Sequence, residues 1–253
     1  MKQKFHKPVL QQGFSLIELA IVLLIVTLLL GGLLVPLTAQ IDQQKTRETQ
    51  KTLADIKEAL IGFALVNGRL PCPASATSNG QESPVGGGNC TNFYNGFVPA
   101  ATLGMTPINA QGLLLDGWNN PLRYAVSNEA IGTSSYALTS SNGMKSATIN
   151  SLSNPSKTLL YVCGSASGIV ANTSCGTAVS LTNTAPALVY SLGKNGSIVG
   201  AGLDEAANAN NDKIFVSHEQ TAASAANGEF DDMLSWLSTG ILINRMVTAG
   251  QLP

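Results

Sequence analysis

The chain has 253 residues, of which only 11% are charged, 14 basic against 15 acidic, for a net charge of −1. So sparse a charge, with no basic stripe interleaved with aromatics, leaves no obvious nucleic-acid footprint and argues against a surface built on phosphate neutralisation. Four cysteines without a CxxC pair, and two histidines far apart, exclude a zinc site of ordinary spacing.

The N-terminus reads as three parts. Lys2, Lys4 and Lys7 form a basic start, Gly13 follows, and an apolar run then extends from Phe14 to Val35 with Glu18 as its one ionisable group. At 1.5 Å per residue that run spans roughly 33 Å as a helix, enough for a hydrocarbon core. It is too long for a secretory signal, and no small-residue cleavage site follows it. A Glu inside such a run costs at least a few kcal/mol if ionised and unpaired in lipid, which marks it as functional. The three leading lysines place the start of the chain in the cytoplasm and the bulk of it outside.

The segment Gly13-Phe14-Ser15-Leu16-Ile17-Glu18, with the apolar run behind it, resembles the N-terminus of type IV prepilins and type II secretion pseudopilins. The likeness covers roughly residues 1–40, and its force lies in glycine, aromatic, apolar stretch and Glu falling in one register. It implies a leader, residues 1–13, removed after Gly13 by a prepilin peptidase, with methylation of the new amine on Phe14. It also implies that Glu18, fifth in the mature chain, pairs with the Phe14 amine of a neighbouring subunit and sets the axial register of a filament. Removing Lys2, Lys4 and Lys7 from the 14 basic residues leaves 11 against 15 acidic.

Residues 14–37 are the expected membrane and filament-core helix, with a kink or break at Pro36. Residues 38–68 read as its amphipathic second half. Leu53, Ile56, Leu60, Phe63 and Ala64 fall on one face, opposite Asp55, Lys57 and Glu58, and Asn67-Gly68 with Pro71 stops the helix. Residues 69–253 form the exported globular domain. An even number of cysteines there suggests disulfides. Cys72, Cys90, Cys163 and Cys175 allow three connectivities; the sequential one closes two short loops, each contributing roughly 3 kcal/mol.

Strands are expected over Leu122–Val126, Lys157–Cys163, Ala187–Leu192 and Lys213–Ser217, separated by turn signals, as an antiparallel sheet laid on the second half of the long helix. The stretch from Asp116 to Tyr124 is similar to the D-x-W-G-x-P-x-x-Y turn of type II secretion pseudopilins, with Asn119 in place of the usual Gly. It reads as a structural turn: Gly117, Asn119 and Asn120 tolerate positive φ, and Trp118 can cap the core. Glu229 to Val247 reads as an additional C-terminal amphipathic helix, with Asp231 and Asp232 as first-turn charges. The fold class expected is α+β and pilin-like.

Asp204, Glu205, Asn208, Asn210 and Asp212 gather oxygen ligands within nine residues, the type of donor that calcium prefers. They resemble, in position, the acidic loop that binds calcium in major pseudopilins; a solvated polar loop is the alternative, and no other cofactor is expected. Catalysis finds little support. His218 is the one histidine left after leader removal, Gly164-Ser165-Ala166-Ser167-Gly168 has Ala where a nucleophile elbow needs Ser, and Gly86-Gly87-Gly88 lacks the lysine of a phosphate loop. The sequence therefore points to a structural subunit, minor more than major, of a type IV pilus or type II secretion pseudopilus. Its partners are other pilin or pseudopilin subunits, a prepilin peptidase and the bacterial inner membrane, with the C-terminal domain in the periplasm. A filament-tip adhesin or DNA-uptake subunit is the alternative.

Overall fold

The computed structural model describes residues 13–132, 134–146, 158–196 and 202–252, and the side chains of 30–37 lie outside that description. In chain order the elements are α1 (Leu16–Asn67), β1 (Gly96–Phe97), α2 (Ala100–Leu103), β2 (Arg123–Val126) and α3 (Gly143–Ser146). They continue with β3 (Leu160–Cys163), β4 (Ser180–Ala185), β5 (Ala187–Ser191), α4 (Leu203–Ala209), β6 (Ile214–Val216), β7 (Met233–Trp236) and α5 (Thr239–Thr248). The chain divides into two compact units, residues 1–44 and 45–253.

In the first unit, the apolar side chains from Phe14 to Leu29 are exposed. Thr27 turns its hydroxyl back onto the Leu23 and Leu24 carbonyls at 3.0 and 2.9 Å, so its one polar group needs no outside partner. Among the described residues, no helix is long and apolar enough to cross a membrane. The expected apolar span continues into residues 30–37. Of the kink or break expected at Pro36, the break is not found: α1 is helical through it. A proline removes one i→i−4 bond, and the turns on either side keep theirs.

The second unit has three layers. One sheet has the order β1-β2-β5-β7 and is antiparallel throughout. Strand alternation sends Tyr124, Val126, Ala187 and Val189 to one face and Ala125, Leu188 and Tyr190 to the other. The first face packs on α1 through Leu53, Ile56, Leu60 and Ala64 of the expected stripe and through Ile61, whereas Phe63 of that stripe is half-buried and outside this core. The second face packs on a smaller sheet of order β4-β3-β6 through Leu160, Val162 and Phe215.

The expected single antiparallel sheet is thus two, and β3 runs parallel to β6. A parallel pair needs a long crossover, here the chain through β4, β5 and α4, and strand patterns alone carry no trace of such a partnership. The expected helix over Glu229–Val247 is also corrected. Phe230 forms a bridge with Thr221, Met233–Trp236 is strand β7, and helix α5 begins only at Thr239. Phe230, Met233, Leu234 and Leu237 fit a helical period, yet β5 offers an open edge that pairs this backbone, and tertiary pairing overrides the local pattern. Strands β4 and β1 were not expected from sequence.

Cys72 is bonded to Cys90 and Cys163 to Cys175, the sequential pairing, with Cα atoms 5.4 and 5.6 Å apart. The first disulfide loop is fixed from inside by a buried ion pair. Arg69, just beyond the end of α1, meets Glu82 through two bonds of 2.7 and 2.6 Å. Glu82 also accepts the Cys72 and Gly86 N–H groups at 3.0 and 3.1 Å.

Candidate functional site

Two regions concentrate the expected functional residues. At the N-terminus, Gly13 lies directly before α1, and an added Cβ there would meet nothing within 4 Å. The fold itself therefore places no demand for glycine at this position. Phe14 is 81% exposed. Leu19 N–H donates to the Ser15 carbonyl at 3.2 Å, so the helix is already forming beside the junction. Glu18 sits exposed in the first turn, where a negative charge complements the helix dipole. A chain beginning at Phe14 would carry its amine one turn from Glu18, with apolar side chains on the residues around both.

Residues 10–34 match the family model described as the prokaryotic N-terminal methylation motif. The chain's N-terminal segment is that of a type IV prepilin/pseudopilin-like protein. In general, proteins with this motif are envelope-associated structural subunits, processed by a prepilin peptidase and assembled with other pilins. No curated protein and no solved structure matches the chain.

In this prepilin-like chain the turn at Asp116 locks the sheet to α1. Asp116 Oδ1 accepts the N–H groups of Trp118 and Asn120 at 2.9 and 2.8 Å, and its Oδ2 accepts the Ser191 hydroxyl at 2.6 Å. Burial pushes the Asp116 carboxyl up from its ordinary range, and these bonds act against that shift. Of the three positions expected to tolerate positive φ, Asn119 uses it, at +69°. Gly117 is needed for another reason: its N–H donates to Thr49 Oγ1 at 2.9 Å, and a Cβ would lie 2.7 Å from the Lys45 carbonyl of α1. Trp118 is half-buried and stands outside the core clusters.

The five residues expected as calcium ligands diverge. The sequence predicts a loop, but Leu203–Ala209 is helix α4, which points successive side chains in different directions. Asp204 Oδ1 accepts the Ala166 N–H at 2.5 Å, and its Oδ2 lies 3.0 Å from His218 Nε2. Asn227 also donates to both oxygens. Ser165 donates to Asp204 rather than to His218, so these groups form a polar clamp without a nucleophile–base pair. Asp212 Oδ2 accepts the Asn172 N–H inside the second disulfide loop, at 2.7 Å. Asn208 spans the Val216 backbone and Asp232. Asn210 ends α4.

Glu205 alone among the five enters a carboxylate cluster. Glu205, Asp231 and Asp232 each place an oxygen within 4.8 Å of the other two. Asn195 donates to both Glu205 oxygens, at 2.9 and 3.1 Å, and Asp231 N–H donates to Oε1 at 3.2 Å. Burial pushes Asp232 up to about 8; the Asn208 bond opposes this, while the Glu205 and Asp231 charges add to it. Burial likewise raises Asp231 to about 6 against the Lys194 and Asn195 N–H groups. Asp231 and Asp232, expected as helix-end charges, precede a strand instead. Their partnership with Glu205 joins groups 26 residues apart, and no local spacing signals it.

Proposed function

We propose that the chain is a minor structural subunit of a type IV pilus or type II secretion pseudopilus. It is cleaved after Gly13, methylated at the Phe14 amine, and held as a single-pass inner-membrane protein by the helix beginning at Phe14. Residues 45–253 fold in the periplasm, where the two disulfides form. Assembly into the filament proceeds by packing of the N-terminal helices, with Glu18 facing the Phe14 amine of the next subunit.

The observation that carries this reading is the registration of motif and helix. Residues 10–34 match the methylation motif, the junction Gly13-Phe14 is exposed just before α1, and Glu18 stands in its first turn. An exposed apolar helix needs lipid or other helices around it, and a charge within it gains from a partner that comes with the neighbour. Two disulfides in residues 45–253 suit an oxidising compartment. The size of that unit, with its disulfide loops, favours an accessory subunit over the bulk one.

The test is incorporation. Glu18→Ala, produced with a complete pilus or pseudopilus machinery, is expected to be processed normally and to be lost from sheared filaments. Normal incorporation of that variant would sink the pairing role. Gly13→Ser or a larger residue is expected to leave the precursor uncut.

A further inference from the structure

We propose that the open edge of β7 takes an extended segment of a partner protein as an added strand, and that a lysine or arginine of that segment meets the Asp232 carboxylate. The contact lies within residues 45–253 and is separate from the packing of N-terminal helices, so it stands or falls without the Glu18 pairing.

β7 is the last strand of its sheet, and β5 covers one side of it. Leu237 N–H donates to the Ala187 carbonyl at 2.8 Å. In the antiparallel alternation this makes Leu237, Ser235 and Met233 the residues whose backbone faces β5. Leu234 and Trp236 then turn N–H and C=O away from β5, and among the described residues neither meets a further backbone partner. Such an edge is a template for another strand, and two of its common guards, lysine and proline, are absent from Met233–Trp236.

The edge borders a groove. A cavity of about 460 Å³ is lined by Leu234 and Ser235 of β7, by Gln50 and Leu53 of α1, and by His218 and Glu219 from the segment after β6. The Thr221–Phe230 bridge closes the end nearest Asp232. His218 is tied down outside the strand: its Nε2 lies 3.0 Å from Asp204 Oδ2, and its ring stacks on Phe230 with centroids 3.9 Å apart. Asp232 also lines the groove and is only 5% exposed. Its Oδ2 takes the Asn208 amide at 2.8 Å, and its Oδ1 is buried with no partner. A buried carboxylate oxygen without a donor is costly, and a cationic side chain supplies donor and counter-charge together. Glu219 adds a second acidic group, and among the described residues no lysine or arginine lines the groove, so charge complementarity selects a basic segment. Strand alternation puts Asp232 and Leu234 on one face of the edge, Met233 and Ser235 on the other. A basic residue flanked by apolar ones therefore fits, the first reaching Asp232 and its neighbours reaching Leu53 and Met233.

The experiment uses the purified full chain in mild detergent and a blocked probe peptide, acetyl-Thr-Val-Lys-Val-Thr-amide, read by hydrogen exchange at the Leu234 and Trp236 amides. Exchange at both is expected to slow by at least about tenfold at millimolar peptide. The peptide with Glu in place of Lys should bind at least about tenfold more weakly, and Asp232→Asn should weaken binding of the Lys peptide by a similar factor. The Lys peptide methylated at every backbone nitrogen should not bind, because it lacks the donors of an added strand. Unchanged exchange with the Lys peptide at up to about 10 mM overturns the proposal. Equal binding of the Glu peptide or of the methylated peptide overturns it as well. Protection of both amides that grows with protein concentration and needs no peptide would put a second copy in the groove and equally overturn it. If Asp232→Asn fails to fold, the three peptides on the unaltered chain still decide.

Discussion

Replacing Glu82 by Gln tests how the disulfide-bonded domain is fixed to the end of α1. Glu82 and Arg69 have side chains only 5% and 9% exposed, and two short bonds join them in parallel. The carboxylate also receives two backbone N–H groups from its own disulfide loop, and the Arg69 guanidinium lies 5.1 Å from the Phe63 ring centre. Gln keeps the shape and can still accept one or two of these N–H groups. It leaves a buried guanidinium without its counter-charge, a loss of about 3–5 kcal/mol. For a domain of this size that lowers the thermal midpoint by about 6–20 °C. The assay is fluorescence-detected melting, since Trp118 and Trp236 both lie in residues 45–253. Arg69→Met added to Glu82→Gln should recover part of the loss, because the stranded charge goes with it. A loss below about 1 kcal/mol in Glu82→Gln, or no recovery in the double variant, would refute the reasoning.

The remaining expectations concern the same architecture. Burial alone would raise the Glu82 pKa, but the Arg69 bonds, the Cys72 and Gly86 N–H groups and the Arg69 charge together hold it below 4.5. A carboxyl with a lowered folded-state pKa stabilises above its unfolded value, so this contribution is complete above about pH 5 and drains as pH falls through the folded value. The acid limb of the melting curve should therefore be shallower in Glu82→Gln. Gly117→Ala would press a Cβ onto the Lys45 carbonyl and push the turn off α1, at a cost of about 1–3 kcal/mol by chemical denaturation. Thr49→Val, which leaves the Gly117 N–H without its acceptor, should cost about 1–3 kcal/mol. Replacing Cys163 and Cys175 together by Ser opens the second loop and should lower stability by about 3 kcal/mol.

What was legible in the sequence was whatever depends on short range. Helical spacing from Leu53 to Ala64 located the face of α1 that the sheet covers, and the strands around Tyr124, Val189 and Phe215 announced themselves as apolar runs between turns. The turn at Asp116 was visible through its side-chain chemistry, although the need for Gly117 came from a helix far away in sequence. Strand β7 was hidden, because Met233, Leu234 and Leu237 satisfy a helical period and only the open edge of β5 decides otherwise. The Arg69–Glu82 pair and the Glu205–Asp231–Asp232 cluster depend on tertiary proximity, which spacing does not encode. Within the acidic run 204–212, the helix Leu203–Ala209 turns Asp204, Glu205 and Asn208 in different directions, a separation that spacing in sequence does not show.

The most direct measurement is the mass of the N-terminal peptide of the protein made in a cell with an active prepilin peptidase. The expected peptide begins at Phe14 and carries one added methyl on its amine. A chain that keeps residues 1–13 while a control prepilin in the same cell is cut, or one that begins at any residue other than Phe14, would contradict the account.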